Sequence, residues 1–192
     1  MISVTARPQL KTSHSPHATP PWHIKSAIAL ITACALILIG VTTSSSVAVA
    51  ATSVSLFGSE TPVAAASGDS GAVELGVAFT SSQAGSATGI RFFKGTGNNG
   101  THVGHLWTSG GTQLASVTFT GETATGWQTA TLATPIALTA GTTYVVSYFA
   151  PQGHYSYTSP YFTSTKTSGP LSASTANGRY FYGASGGFPT SS

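Results

Sequence analysis

The sequence predicts an all-β sandwich of Greek-key or jelly-roll type behind a secretory signal peptide. Two observations predict the sandwich and a third predicts the leader. No window holds a sustained 3.6-residue apolar period; short alternating or apolar runs recur instead, divided by Gly, Asn and Ser clusters. The segment Leu138-Thr139-Ala140-Gly141-Thr142-Thr143-Tyr144 has the form of a corner at which a chain passes between sheets. The amino-terminal fifty residues have the layout of an export signal.

That leader comes first in chain order. Residues 1–26 are polar and basic, with Arg7, Lys11, Lys25 and no acid. An apolar run follows from Ala27 to Val41, then polar Thr42–Ser46, then Val47-Ala48-Val49-Ala50-Ala51. A charged region, a short apolar core and a small-residue A-x-A site place cleavage after Ala50, with Ala51 as the alternative. The run is shorter than the roughly 20 apolar residues a membrane-crossing helix needs. Ile31-Thr32-Ala33-Cys34 has the outline of a lipobox, but apolar residues continue through Val41, so lipidation at Cys34 is not expected. The expected division is a signal peptide over 1–50 and one sandwich domain over 51–192, secreted or held at the cell surface, with no membrane span once the signal is cleaved.

Without the leader, the charge argument changes. Arg7, Lys11 and Lys25 account for the whole net charge of +3. Downstream, Arg91, Lys94, Lys166 and Arg179 balance Glu60, Asp69, Glu74 and Glu122. A neutral domain carries no electrostatic footprint for nucleic acid or anionic membrane. The single Cys lies within the leader, so the domain has no disulfide and is stabilised by core burial.

The expected strands are Thr52–Phe57, Ala72–Thr80, Ala87–Lys94, His102–Thr108, Gln113–Thr120, Gly126–Leu132, Thr143–Ala150 and Tyr180–Tyr182. Gly110-Gly111 joins the fourth and fifth as a hairpin turn. Ile90 and Phe92 alternate with Arg91 and Phe93, and Ala115, Val117 and Phe119 with Ser116 and Thr118, which gives one inward and one outward face. Tyr144, entering a strand just after the Leu-x-x-Gly turn, is placed to fold its hydroxyl back on upstream backbone. It is therefore a corner residue rather than a ligand contact.

Three motifs resemble chemistry without completing it. Gly95-Thr96-Gly97-Asn98-Asn99-Gly100 matches G-x-G-x-x-G, yet a dinucleotide site needs a helix next, and Thr101–Trp107 reads as a strand. Gly68-Asp69-Ser70-Gly71 resembles a serine-protease nucleophile loop, but no His and no second Asp lie between Ala51 and Ser70. Gly183-Ala184-Ser185-Gly186-Gly187 matches G-x-S-x-G with no acid or His after it. His102 and His105 are an odd number of residues apart and face opposite ways, so they cannot share a metal. The scattered acids form no calcium loop, which leaves structural calcium held by backbone carbonyls as an open option, and no cofactor is expected.

Aromatic residues remain as the functional reserve: Trp107, Trp127, Tyr155, Tyr157, Tyr161, Phe162, Tyr180 and Tyr182. Trp107 and Trp127 sit in strands and read as core. The candidate ligand contacts are the loop-borne Tyr155, Tyr157 and Tyr161 with neighbouring His154, because flat rings stack on sugar faces.

These residues carry a resemblance. Ser55-Leu56-Phe57-Gly58, Val73-Glu74-Leu75-Gly76-Val77-Ala78-Phe79 and Ile90-Arg91-Phe92-Phe93-Lys94 resemble segments of the bacterial domain of unknown function 4082. So do Phe119-Thr120-Gly121-Glu122, Gly126-Trp127-Gln128, Tyr144-Val145-Val146-Ser147-Tyr148, Gly153-His154-Tyr155 and Gly187-Phe188-Pro189, in the family's order. The resemblance implies a secreted β-sandwich module of long surface proteins, found beside immunoglobulin-like repeats or enzyme domains, with no catalytic residues. Family members continue past Phe-Pro into one more aromatic strand, whereas this chain reads Pro189-Thr190-Ser191-Ser192. The expectation is a sandwich lacking its last strand, with an unpaired edge. A truncated reading frame is preferred over a docking edge as the cause, since natural sheets avoid long open edges.

The expected function is therefore a non-catalytic extracellular binding or adhesion module for carbohydrate or a cell surface. The alternative is a structural spacer without ligand, and third an accessory fragment of a secreted hydrolase. Expected partners are polysaccharide or neighbouring surface domains.

Overall fold

A computed structural model describes residues 1–9 and 52–192, and these form one compact unit. The expected cleavage site at Ala50, the apolar run and Cys34 lie outside the described residues. The strands are β1 (Ile2–Pro8), β2 (Val54–Ser55), β3 (Val73–Ser81), β4 (Gly85–Lys94), β5 (Val103–Thr108), β6 (Gln113–Thr118), β7 (Gly126–Leu138), β8 (Thr143–Ala150), β9 (Lys166–Ser168), β10 (Leu171–Ala173) and β11 (Gly178–Tyr182). The fold is an all-β sandwich of two antiparallel sheets. One has the order β2-β1-β4-β7; the other has the order β6-β5-β8-β3-β10-β9, with β11 also paired to β3.

Alternation explains which faces meet. On β4, Ile90 and Phe92 are fully buried while Arg91 and Phe93 lie half-buried on the outer face. Across the sandwich, Val146 and Tyr148 of β8 and Leu106 of β5 answer them. Phe92 stacks on Tyr148 with centroids 4.3 Å apart and meets Phe119 edge-on at 4.8 Å, so the aromatic centre ties the sheets together. Gly111 closes the β5–β6 hairpin with a φ of 89°, a value a side chain would resist. At the corner, the Thr139 amide donates to the Tyr144 hydroxyl at 3.0 Å, where the chain leaves β7 of one sheet for β8 of the other.

Three strands were not expected: β1, β9 and β10. The first changes the domain picture. The sequence reading places all of residues 1–50 outside the fold, whereas Ile2–Pro8 pairs with β4 along its length and with β2. The physical reason is a period-two pattern inside the basic region, Ile2, Val4 and Ala6 alternating with Ser3, Thr5 and Arg7. All three apolar members are buried. A bulge at Thr88, whose hydroxyl donates to the Thr5 carbonyl at 3.3 Å, bends β4 against both neighbours. The flank of β4 is thus covered. At the far end of the chain, β11 meets Ser191 by reciprocal bonds to Tyr180 rather than standing open throughout.

One buried polar chain crosses the interior. His102, fully buried, donates through Nδ1 to the Glu122 carboxylate (2.9 and 3.0 Å), and its Nε2 lies 2.8 Å from the side-chain oxygen Oδ1 of Asn98. Asn98 Nδ2 donates to the Tyr148 hydroxyl at 3.3 Å, and Lys94 closes the outer end on Glu122 at 2.7 Å. Burial lowers the His102 pKa, more than Glu122 raises it. Burial also pushes the Met1 amino group down to about 5.

Both groups are bases lowered by folding, so the unfolded chain takes up protons that the folded chain resists. Stability is therefore expected to be highest above pH 8 and to fall between pH 8 and pH 5. Glu60 and Asp69, whose folded pKa values are depressed, lose their contribution only at lower pH. Urea midpoints at pH 8 and pH 5 test this. A flat profile, or one that His102→Gln and acetylation of Met1 together leave unaltered, would reject it.

Candidate functional site

An open cleft of about 600 Å³ lies at the β11 side of the sandwich, lined by several parts of the chain. β11 lies antiparallel to β3 in a register that sets Tyr180 opposite Leu75 and Tyr182 opposite Val73, on the core-facing side of the sheet. The loop Tyr155–Phe162, with Met1 and Ile2 of the amino-terminal strand, forms another part of the lining.

The loop is held by backbone. Tyr157 and Ala64 exchange N–H···O bonds of 3.1 and 2.9 Å, the Ser67 amide donates to the Tyr155 carbonyl, and the Ser156 hydroxyl donates to the Ala65 carbonyl at 2.6 Å. This explains Gly95 in the G-x-G-x-x-G run: a side chain there would overlap the Ala65 carbonyl and the Ser156 hydroxyl. The glycine makes room for a neighbouring backbone, not for a phosphate.

The rings are arranged in pairs. Tyr155 and Tyr157 have centroids 6.2 Å apart, and Tyr180 and Tyr182 5.9 Å. Tyr157, Tyr180 and Tyr182 are exposed, at 43%, 41% and 52%. Tyr161 is more enclosed, edge-on to Phe57 at 5.4 Å, with its hydroxyl donating to Glu60 at 2.5 Å. Lys166 pairs with the same carboxylate. Burial of Glu60 works against ionisation, yet Lys166 and Tyr161 together hold its pKa below the ordinary value. On the other side Tyr182 donates to Asp69 at 2.5 Å. This bond and the Gly71 amide hold the Asp69 pKa below its ordinary value, while the bonds to Asp69 and Tyr155 raise the Tyr182 phenol. Flat aromatic faces with fixed hydroxyls and carboxylates beside them suit a polyhydroxylated ligand.

Of the four contacts expected from sequence, Tyr155, Tyr157 and Tyr161 line the cleft together. His154 does not. It has a φ of 49°, and its amide and Nδ1 bond the carbonyls of Asp69 and Ser67, so it braces the loop behind. Sequence reasoning left Phe57, Tyr180 and Tyr182 out of the site. The alternation in Gly178–Tyr182 signals a strand, but nothing local says that this strand pairs with β3.

A second constellation lies on the outer face of the larger sheet. Glu74, Ser147 and His105 come together there although they are far apart in the chain. Ser147 donates to Glu74 Oε1 at 2.5 Å, His105 Nδ1 donates to the same oxygen at 2.8 Å, and Trp107 donates to Ser147 at 2.7 Å. The serine proton faces the carboxylate rather than the imidazole, and Ser147 is fully buried. This is a structural network beside the small cluster of Ala78, Trp107, Val145 and Phe188. Trp107 is thereby buried, as expected, although in this outer cluster. Trp127 is half-buried on the other sheet, under the Arg91 guanidinium at 4.5 Å. His102 and His105 do face opposite sides. Among the described residues no group of three or more His, Cys, Asp or Glu could hold a metal ion.

The family comparison meets this geometry over most of the chain: residues 59–192 match the family described as domain of unknown function (DUF4082). The chain belongs to that family. The matched range of this DUF4082 protein runs from before β3 to Ser192, so it includes the tyrosine loop and β11 but not β1. No curated protein and no solved structure matches the chain. Among the described residues no helix is long and apolar enough to cross a membrane.

Proposed function

We propose that this chain is an exported, non-catalytic binding module that takes a polysaccharide or cell-surface glycan in the tyrosine-lined cleft. The observation that carries this reading is the cleft of about 600 Å³ lined by two tyrosine pairs, of which Tyr157, Tyr180 and Tyr182 are exposed. Its volume lies within the range of small-ligand sites. The cleft offers binding groups without a nucleophile joined to a base. The Ser156 hydroxyl is spent on the Ala65 carbonyl, and Glu60 and Asp69 are tied to tyrosines and to Lys166. The basic leader and its small-residue cleavage site support export.

A glycan array followed by calorimetry on the best polysaccharide tests the proposal. Tyr157→Ala and Tyr182→Ala are each expected to weaken binding by about tenfold, the scale of one lost aromatic stacking contact. Their melting temperatures should change little, because both side chains are exposed. A correctly folded protein that binds no polysaccharide or cell wall would overturn the reading and favour a spacer between neighbouring domains.

A further inference from the structure

The amino-terminal strand is bound as a peptide ligand would be. Its backbone is paired on two sides. The register with β4 runs from Ile2 opposite Phe92 to Pro8 opposite Gly85. Beyond its ends, the Phe93 amide donates to the Met1 carbonyl and the Gln9 amide to the Ala84 carbonyl, both at 2.9 Å. Ile2, Val4 and Ala6 fill the core side. Ser3 is fully buried and fastens β2: its hydroxyl lies 2.8 Å from that of Ser55 and accepts from the Phe57 amide at 3.2 Å. The Met1 amino group donates to the Ser156 carbonyl at 3.0 Å, which links the strand to the tyrosine loop.

Without this strand, β4 would present an unpaired edge, and the side chains now packed on Val4 would meet water. β2, with only two residues, cannot cover that length. The expected leader boundary adds the reason for separation: in export, cleavage near Ala50 would leave residues 1–8 with the leader and the groove beside β4 unfilled in the released domain.

We propose that the groove beside β4 is a strand-acceptor site. In the intact chain it is filled by residues 2–8; once these are separated from the domain, it is refilled by an extended peptide with apolar side chains at alternate positions. The mode is strand addition, in which backbone bonds supply affinity and alternate pockets supply selectivity. The pockets here take an Ile, a Val and an Ala, with a small hydroxyl residue after the first.

The test uses the full chain carrying a site-specific protease sequence within residues 10–50. After cutting, native mass spectrometry should find the amino-terminal fragment still bound. A fluorescent synthetic peptide of residues 1–9 should displace it with one-to-one stoichiometry, and the same peptide with Val4→Asp should bind at least a hundredfold more weakly. If the cut protein loses its fold, recovery of its circular dichroism on addition of the peptide supports the site, and failure to recover overturns it. Three further results would overturn it: loss of the fragment with no change in melting temperature, equal uptake of the Val4→Asp peptide, or pairing of two cut domains that excludes the peptide. Glycan binding is read separately, so either proposal can fail alone.

Discussion

Phe92→Ala is expected to remove about 3–5 kcal/mol of stability, the range for truncating a fully buried aromatic side chain. For a domain of this size that is a fall in melting temperature of about 10 °C or more. Phe92 is fully buried on β4 and touches three other rings, stacked on Tyr148, edge-on to Phe119, and 4.7 Å from the His102 ring. The cavity would open between the two sheets, where neither can close it without shifting a paired strand. Phe93→Ala is the control. Phe93 lies on the opposite face, half-buried and edge-on to Trp127 at 5.7 Å, so its loss should cost less than half as much. Urea unfolding with unchanged slope measures both. Equal losses would mean that the inward and outward faces of β4 have been assigned wrongly.

Val4→Asp in the uncleaved chain is expected to cost about 3–5 kcal/mol, because it places an unpaired carboxylate at a position without solvent access. Arg7→Ala should change stability by no more than about 0.5 kcal/mol, since Arg7 is exposed and its guanidinium bonds the exposed Ser53 hydroxyl among the described residues. The amino terminus of each preparation is to be verified by mass. If Val4→Asp unfolds at the same urea concentration as the unaltered chain, Ile2–Pro8 is not an integral strand. The strand-acceptor proposal then falls with it.

Much of the sandwich was legible because its signals are local. Period-two alternation in Ile90–Phe93, the Gly110-Gly111 turn and the Leu-x-x-Gly corner before Tyr144 each specify geometry within a few residues. The strand Thr143–Ala150 was read with the bounds that the structure has. β9 and β10 escaped because three-residue strands carry too few alternations to stand out from a Ser/Thr-rich loop. β1 escaped for a different reason. Its alternation stands beside basic residues and a long apolar run that together have the layout of a leader, so the local pattern carries two meanings.

The candidate site divides the same way. Tyr155, Tyr157 and Tyr161 are close in sequence, so a loop rich in rings could be recognised directly. Tyr180 and Tyr182 join them only through the pairing of β11 with β3, about a hundred residues upstream. The gathering of Glu74, His105 and Ser147 also depends on pairing, since β3 and β5 both flank β8. The trio at Ser147 forms by approach between separate strands, which chain order does not show.

By itself, the sequence determined the all-β class, the corner at Tyr144 and the membership of three tyrosines in one loop. Each of these follows from side-chain period or turn chemistry over a short stretch. Only the tertiary structure decided that β11 completes the cleft, that His154 braces it from behind, and that residues 2–8 fill a strand position beside β4. Register between distant strands is a property of two segments at once, set by which apolar faces can be buried together. No single stretch of this chain encodes it.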